Sequence, residues 1–137
     1  MLERIIALSF FLIIAYMLVR RLYSPKIISN GALPFEINNL DPALPTILYF
    51  WTEQCVQCNS VQKPAILKLK DEGDEFNFIS FNAIKELEIT KHLNIKTVPS
   101  TVILNSEKKI NYVNSGYTEG KILKEQLKEL HKKILIN

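Results

Sequence analysis

The sequence predicts an α/β fold: a central mixed sheet with helices on both faces, preceded by a single N-terminal transmembrane helix. Three observations predict it. Runs rich in β-branched and aromatic residues at 46–50, 76–81 and 100–104 alternate with segments of helical periodicity at 56–70, 85–93 and 119–134. A short polar turn after the third run leads straight into a fourth, at 109–114, as an antiparallel hairpin would. The chain opens on a long apolar stretch flanked by arginines.

That stretch, Ile5 to Val19, is fifteen residues without a charge, bounded by Arg4 and by Arg20 and Arg21. At about 1.5 Å per residue the uncharged run alone spans roughly 22 Å, less than the ~30 Å hydrocarbon core of a bilayer. Leu2, Leu22 and Tyr23 extend it, and arginine stems can snorkel to the interface. A cleaved signal peptide is the competing reading. It calls for small residues after the apolar run, where Arg20-Arg21-Leu22-Tyr23 stand instead. The expectation is therefore an anchor over residues 1–23, touching the membrane through residues 5–19. Arg20, Arg21 and Lys26 outweigh the positive charge before the span by about one, which favours a domain facing the cytoplasm.

Residues 24–45 read as a linker. Ser29-Asn30-Gly31, Leu33-Pro34 and Asp41-Pro42 are turn chemistry, with room for one short strand around Phe35–Ile37. The remaining domain, 46–137, begins with Thr46–Phe50, apolar on both parities as a strand buried on two faces would be. The helix at 56–70 takes Val61, Ala65, Leu67 and Leu69 as its apolar positions. Pro64 inside it should remove one backbone hydrogen bond and kink the axis. Leu87, Ile89 and Leu93 are the apolar positions of the short second helix, and Ile122, Leu123, Leu127 and Leu130 those of the last.

The charge distribution excludes one class of partner. Net charge is +3, but all three arginines flank the first apolar stretch. From Lys26 onward 14 lysines face 13 acidic residues, so the domain lacks the basic field that phosphate backbones require and no nucleic acid is expected. Two cysteines are too few for a disulfide-stapled scaffold or a four-cysteine zinc site.

Those two, Cys55 and Cys58, stand where a strand hands over to a helix. Unpaired N–H groups and the macrodipole at a helix start stabilise a thiolate, the species that attacks disulfides. The spacing puts the second sulfur about one turn on, within disulfide reach. Two other readings stand beside this one. For zinc the remaining ligands could only be His92 and His131, or carboxylates; the two histidines are 39 positions apart and fit better as partly exposed helix residues. A purely structural disulfide closing so short a loop would constrain little.

Forty positions after Cys58, Val98-Pro99-Ser100-Thr101 lead into the third strand. Together with Phe50-Trp51, Cys55 and Cys58, and with Gly116 after the hairpin, this order of motifs resembles the thioredoxin family over about residues 46–134. The resemblance implies a thioredoxin-like fold and a thiol–disulfide oxidoreductase with Cys55 as nucleophile and Cys58 as resolving cysteine. It implies that Pro99 is a cis-proline facing the dithiol, that the Val98 backbone pairs with an extended substrate segment, and that Trp51 packs beside the sulfurs. Ordinary core packing is the plainer role for Trp51.

Three departures accompany the resemblance. Tyr49 stands where the family's reductases often carry a buried aspartate, and a phenol is a poor base near neutral pH. Val56-Gln57 separates the cysteines where thioredoxins have Gly-Pro, and Pro64 lies six residues after Cys58 rather than five. No metal and no cofactor beyond the dithiol are implied. The expected partners are a protein substrate carrying a disulfide or dithiol, and an upstream redox partner. A non-enzymatic binding module of the same fold, or a copper or zinc carrier using the same dithiol, are the alternatives.

Overall fold

A computed structural model describes residues 2–23, Leu33 and 40–134, with side chains of the first helix described from Ser9 to Val19. Helix α1 spans Leu2–Tyr23. Then come β1 (Thr46–Trp51), a π-helical turn (Cys58–Gln62) running into α2 (Lys63–Asp71), β2 (Asn77–Asn82), α3 (Leu87–His92), β3 (Ser100–Leu104), β4 (Ile110–Ser115) and α4 (Gly120–Ile134). The sheet order is β2-β1-β3-β4, with β1 parallel to β2 and antiparallel to β3, and β4 antiparallel to β3. The mixed sheet expected from the order of elements is therefore present.

Strand β1 is central because its sequence can be covered twice. Ile47 and Tyr49 join Ile103 of β3 on the face packed by α2 and α4. Leu48 and Phe50 join Val102 and Leu104 on the other, with Ile89 and Leu93 from α3 and just beyond it. A run apolar on both parities is what burial on two faces demands. Leu123, Leu127 and Leu130 of α4 are essentially fully buried, each stabilising the domain by roughly 2 kcal/mol.

Both turns that end α2 and α3 follow one local rule. Gly73 (φ +89°) and Asn94 (φ +52°) occupy the left-handed position after the helix. The N–H of the next residue then reaches back to the last turn, Asp74 to the Leu69 carbonyl and Ile95 to the Thr90 carbonyl.

The helix after β1 departs from expectation on its buried face. Val61 and Leu67 are exposed, whereas Cys58, Gln62, Ile66 and Leu69 point inward. Pro64 stands in the first turn of α2, directly after a widened turn. It carries no N–H, and the helix before it opens so that the Lys63 N–H pairs with the Cys58 carbonyl five residues back. The face is displaced with it. Leu87 and Ile122, read as core positions, are likewise exposed, and α3 is shorter than the segment 85–93.

Along α1 the side chains from Ser9 to Val19 are exposed, among them Phe10, Phe11, Leu12 and Ile13. Those eleven residues cover about 16 Å at the usual helical rise, and among the described residues no helix is long and apolar enough to cross a membrane. The short strand read around Phe35–Ile37 lies outside the described residues.

Candidate active site

The site assembles at one end of the sheet, where β1 runs out. Strand β1 ends at Trp51, a turn closed by the Cys55 N–H on the Thr52 carbonyl (3.2 Å) follows, and the helix begins at Val56. Cys55 and Cys58 are joined as a disulfide with their Cα atoms 5.2 Å apart. The two cysteines are not equivalent: Cys58 is fully buried, while Cys55 is half-buried. The Cys58 backbone N–H points at the Cys55 sulfur (3.1 Å), an unpaired helix-start donor aimed at the atom on which negative charge develops.

Behind Cys58 lies Tyr49. Its hydroxyl donates to the Cys58 carbonyl (2.8 Å), the same oxygen that receives the Lys63 N–H across the widened turn. Burial pushes the Tyr49 phenol up to about 12, so it is a neutral donor at physiological pH. Among the described residues the polar side chains classed as buried are all uncharged.

Two other segments close on the same end. The peptide between Val98 and Pro99 is cis. The β1–β3 ladder ends at Phe50 and Ser100, so Trp51 and Pro99 lie one step beyond it and Thr52 and Val98 two steps. Thr52 and Val98 do line one cavity of about 240 Å³, together with Ala83, Thr90 and Thr97. Pro99 is buried and Val98 half-buried between the two core clusters. Trp51 is half-buried against the cluster that contains Cys58, as ordinary packing and proximity to the dithiol both require.

The third segment follows β4. Gly116 (φ +82°) turns the chain, and Thr118 is then clamped by Gln62. The Gln62 Nε2 donates to the Thr118 carbonyl (3.0 Å), and its Oε1 accepts the Thr118 N–H (2.8 Å). Gln62 has no exposed surface. Reading the helix as an apolar pattern missed it because its side chain is polar. The signal available was its position four residues after Cys58 and four before Ile66, on the face the cysteine defines.

On the outer rim Glu53, in the turn before Cys55, pairs with Lys85 from the segment after β2 (2.6 Å). The Lys85 hydrogen bond holds the Glu53 carboxyl below its usual range, and both groups stay solvated. His92 is exposed and His131 half-buried, and among the described residues no three His, Cys, Asp or Glu side chains gather as metal ligands.

Comparison with known proteins agrees with this geometry. The family model described as Thioredoxin matches residues 29–130. No curated protein matches the chain. Solved structures of similar fold include thioredoxin-2 of a malaria parasite, at 17% identity with a TM-score of 0.59, covering 76% of this chain and 99% of that one. The thioredoxin of Fasciola hepatica follows at 18% identity and 0.56, covering 64% and 82%. An exposed lipoprotein thioredoxin of Streptococcus pneumoniae stands at 15% and 0.56, covering 65% and 87%. With the family model spanning most of the chain and a cysteine pair at the helix start, this chain belongs to the thioredoxin family and is a thiol–disulfide oxidoreductase.

Proposed function

We propose that the chain is a membrane-tethered oxidoreductase that exchanges disulfides with protein substrates, using Cys55 as nucleophile and Cys58 as resolving cysteine. The observation that carries this reading is the asymmetry of the pair: a half-buried cysteine whose sulfur faces a helix-start N–H, and a fully buried one. In the reducing direction the Cys55 thiolate attacks a substrate disulfide, forming a Cys55–substrate bond and releasing one substrate thiolate. Cys58 then attacks Cys55, the Cys55–Cys58 bond forms, and the second substrate thiolate leaves. The substrate gains two electrons and the dithiol loses them. An upstream redox partner must restore it, and the dithiol needs no further cofactor.

Val98 and Pro99 are assigned to seating the substrate. Both lie past the last ladder pair, at Ser100, where an extended segment can lie along the chain beside Cys55. Trp51 is assigned to the wall of the same site.

Residues 1–23 are assigned to a membrane anchor, 24–45 to a linker and 46–137 to the catalytic domain. Exposed Phe10, Phe11, Leu12, Ile13 and Leu18 support insertion, because water is a poor solvent for such a surface and lipid a good one. Helix α1 is about 33 Å long over its 22 residues, but its uncharged stretch covers only roughly 22 Å, so the tether relies on Arg4, Arg20 and Arg21 snorkelling to the interfaces of a ~30 Å core. Arg20 and Arg21 favour a domain on the cytoplasmic side.

One experiment tests the enzyme and the tether together. In intact membranes Cys58→Ser should accumulate a substrate adduct, seen on a non-reducing gel and lost on adding reductant. The adduct should remain in the pellet after an alkaline carbonate wash and vanish in the Cys55→Ser/Cys58→Ser double variant. An adduct that survives loss of Cys55 contradicts the assigned nucleophile. Release of the chain into the wash contradicts the anchor.

A further inference from the structure

Among the described residues, the Tyr49 phenol reaches the buried cysteine's backbone from the sheet, and the exchange reaction as described leaves it without a role. Its setting is specific. In an α-helix the Cys58 carbonyl would pair with the Gln62 N–H, four residues on. Here it pairs with the Lys63 N–H, five residues on, and also receives the Tyr49 hydroxyl. The carbonyl is thus held from two directions, along the helix and from β1. A cysteine sulfur is one rotatable bond from its backbone, so clamping that peptide limits where the sulfur can go. Gln62, the residue that would close an ordinary turn, is committed through its side chain to Thr118.

We propose that Tyr49 is a positioning residue for Cys58: by donating its hydroxyl to the Cys58 carbonyl it holds the widened turn open and keeps the Cys58 sulfur aimed at Cys55. This rests on Cys58 being the resolving cysteine. Tyr49 acts on the second half of the exchange only, in which the Cys58 sulfur attacks Cys55, the Cys55–substrate bond breaks, and the Cys58 proton ends on the departing thiolate. The first half depends on Cys55 and on the Cys58 N–H, which the phenol does not touch. Ile47, Ile66, Ile103, Leu123 and Leu127, which share its core cluster, are all apolar.

The two halves separate in a single-turnover reaction of the fully reduced chain with the coloured aryl disulfide dithiobis(nitrobenzoate). One chromophore leaves when Cys55 attacks and a second when Cys58 resolves. Tyr49→Phe keeps the ring and removes only the hydroxyl. Its second release should be about tenfold slower than that of the unaltered chain, the order expected for losing one orienting hydrogen bond. The first release should stay within about twofold, which also reports an intact site. Equal slowing of both releases, or an unchanged ratio between them, overturns the proposal. Should the unaltered chain release only one chromophore, the resolving role of Cys58 falls, and that of Tyr49 with it.

Discussion

Cys55→Ser is expected to lower disulfide exchange by at least about a thousandfold, the largest effect of any single substitution in the chain. The reason is chemical rather than structural. A thiol at a helix start is partly ionised near neutral pH, whereas a hydroxyl in the same place has no accessible anion and cannot form the mixed disulfide. The half-buried position of Cys55 leaves room for the smaller oxygen, so the domain should remain folded. Turnover with a protein disulfide and thermal melting of the reduced chain, run side by side, separate the two. Near-normal turnover in Cys55→Ser would remove this sulfur from the chemistry. Loss of turnover together with unfolding would remove the distinction between mechanism and stability.

Gln62→Ala is expected to cost the domain about 3 kcal/mol, the largest stability effect among its polar residues. The side chain is fully buried and bridges residues 56 positions apart, pairing with both the N–H and the carbonyl of Thr118. Alanine leaves those two backbone groups unpaired in a site with little access to water, at roughly 1–3 kcal/mol each before relaxation. The emptied volume adds to this. For a domain of this size, 3 kcal/mol corresponds to a melting temperature lower by roughly 12–24 °C. Gln62→Leu fills the space without restoring the hydrogen bonds and should recover only a minority of the loss. A cost below about 1 kcal/mol for Gln62→Ala would mean that the bridge is not what holds the 116–118 loop against the helix.

The same residue shows where the sequence was legible and where it was not. Strands were readable because their rule is local. Thr46–Phe50 is apolar at every other residue on both parities, and burial on two faces follows without knowledge of the partners. The β3–β4 hairpin was readable for the same reason, from a short polar turn between two apolar runs. The helix after β1 was harder. Its inward face is set by Cys58 and by a turn widened ahead of Pro64, and it carries Gln62, so an apolar count placed Val61 and Leu67 inside when they lie outside. Leu87 and Ile122 failed similarly, because in a short or amphipathic helix one position either way moves a side chain from core to solvent.

In the site, the strand-to-helix placement of Cys55 and Cys58 was legible from the residues themselves, whereas Pro99 and Trp51 were singled out only by the resemblance to the thioredoxin family. The Tyr49–Cys58 and Gln62–Thr118 hydrogen bonds were legible from neither. Each joins a side chain to a backbone group across the core, and which groups meet there depends on how the helix sits on the sheet. Tyr49 reads in sequence only as the absence of an acid. In the fold it is a donor with a partner, which changes the question from what base is missing to what the phenol holds in place.

The most direct measurement on this chemistry is the pH dependence of Cys55 alkylation in the fully reduced chain, using iodoacetamide with Cys58→Ser to remove the competing sulfur. The helix-start N–H groups and the Cys58 N–H facing the Cys55 sulfur predict a half-reaction point shifted from the ~8.5 of a free thiol toward neutrality. Alkylation at neutral pH should then be several-fold faster than that of an exposed, unperturbed cysteine. A half-reaction point at or above that of the free thiol, with a sulfur that resists alkylation, would contradict Cys55 as the nucleophile.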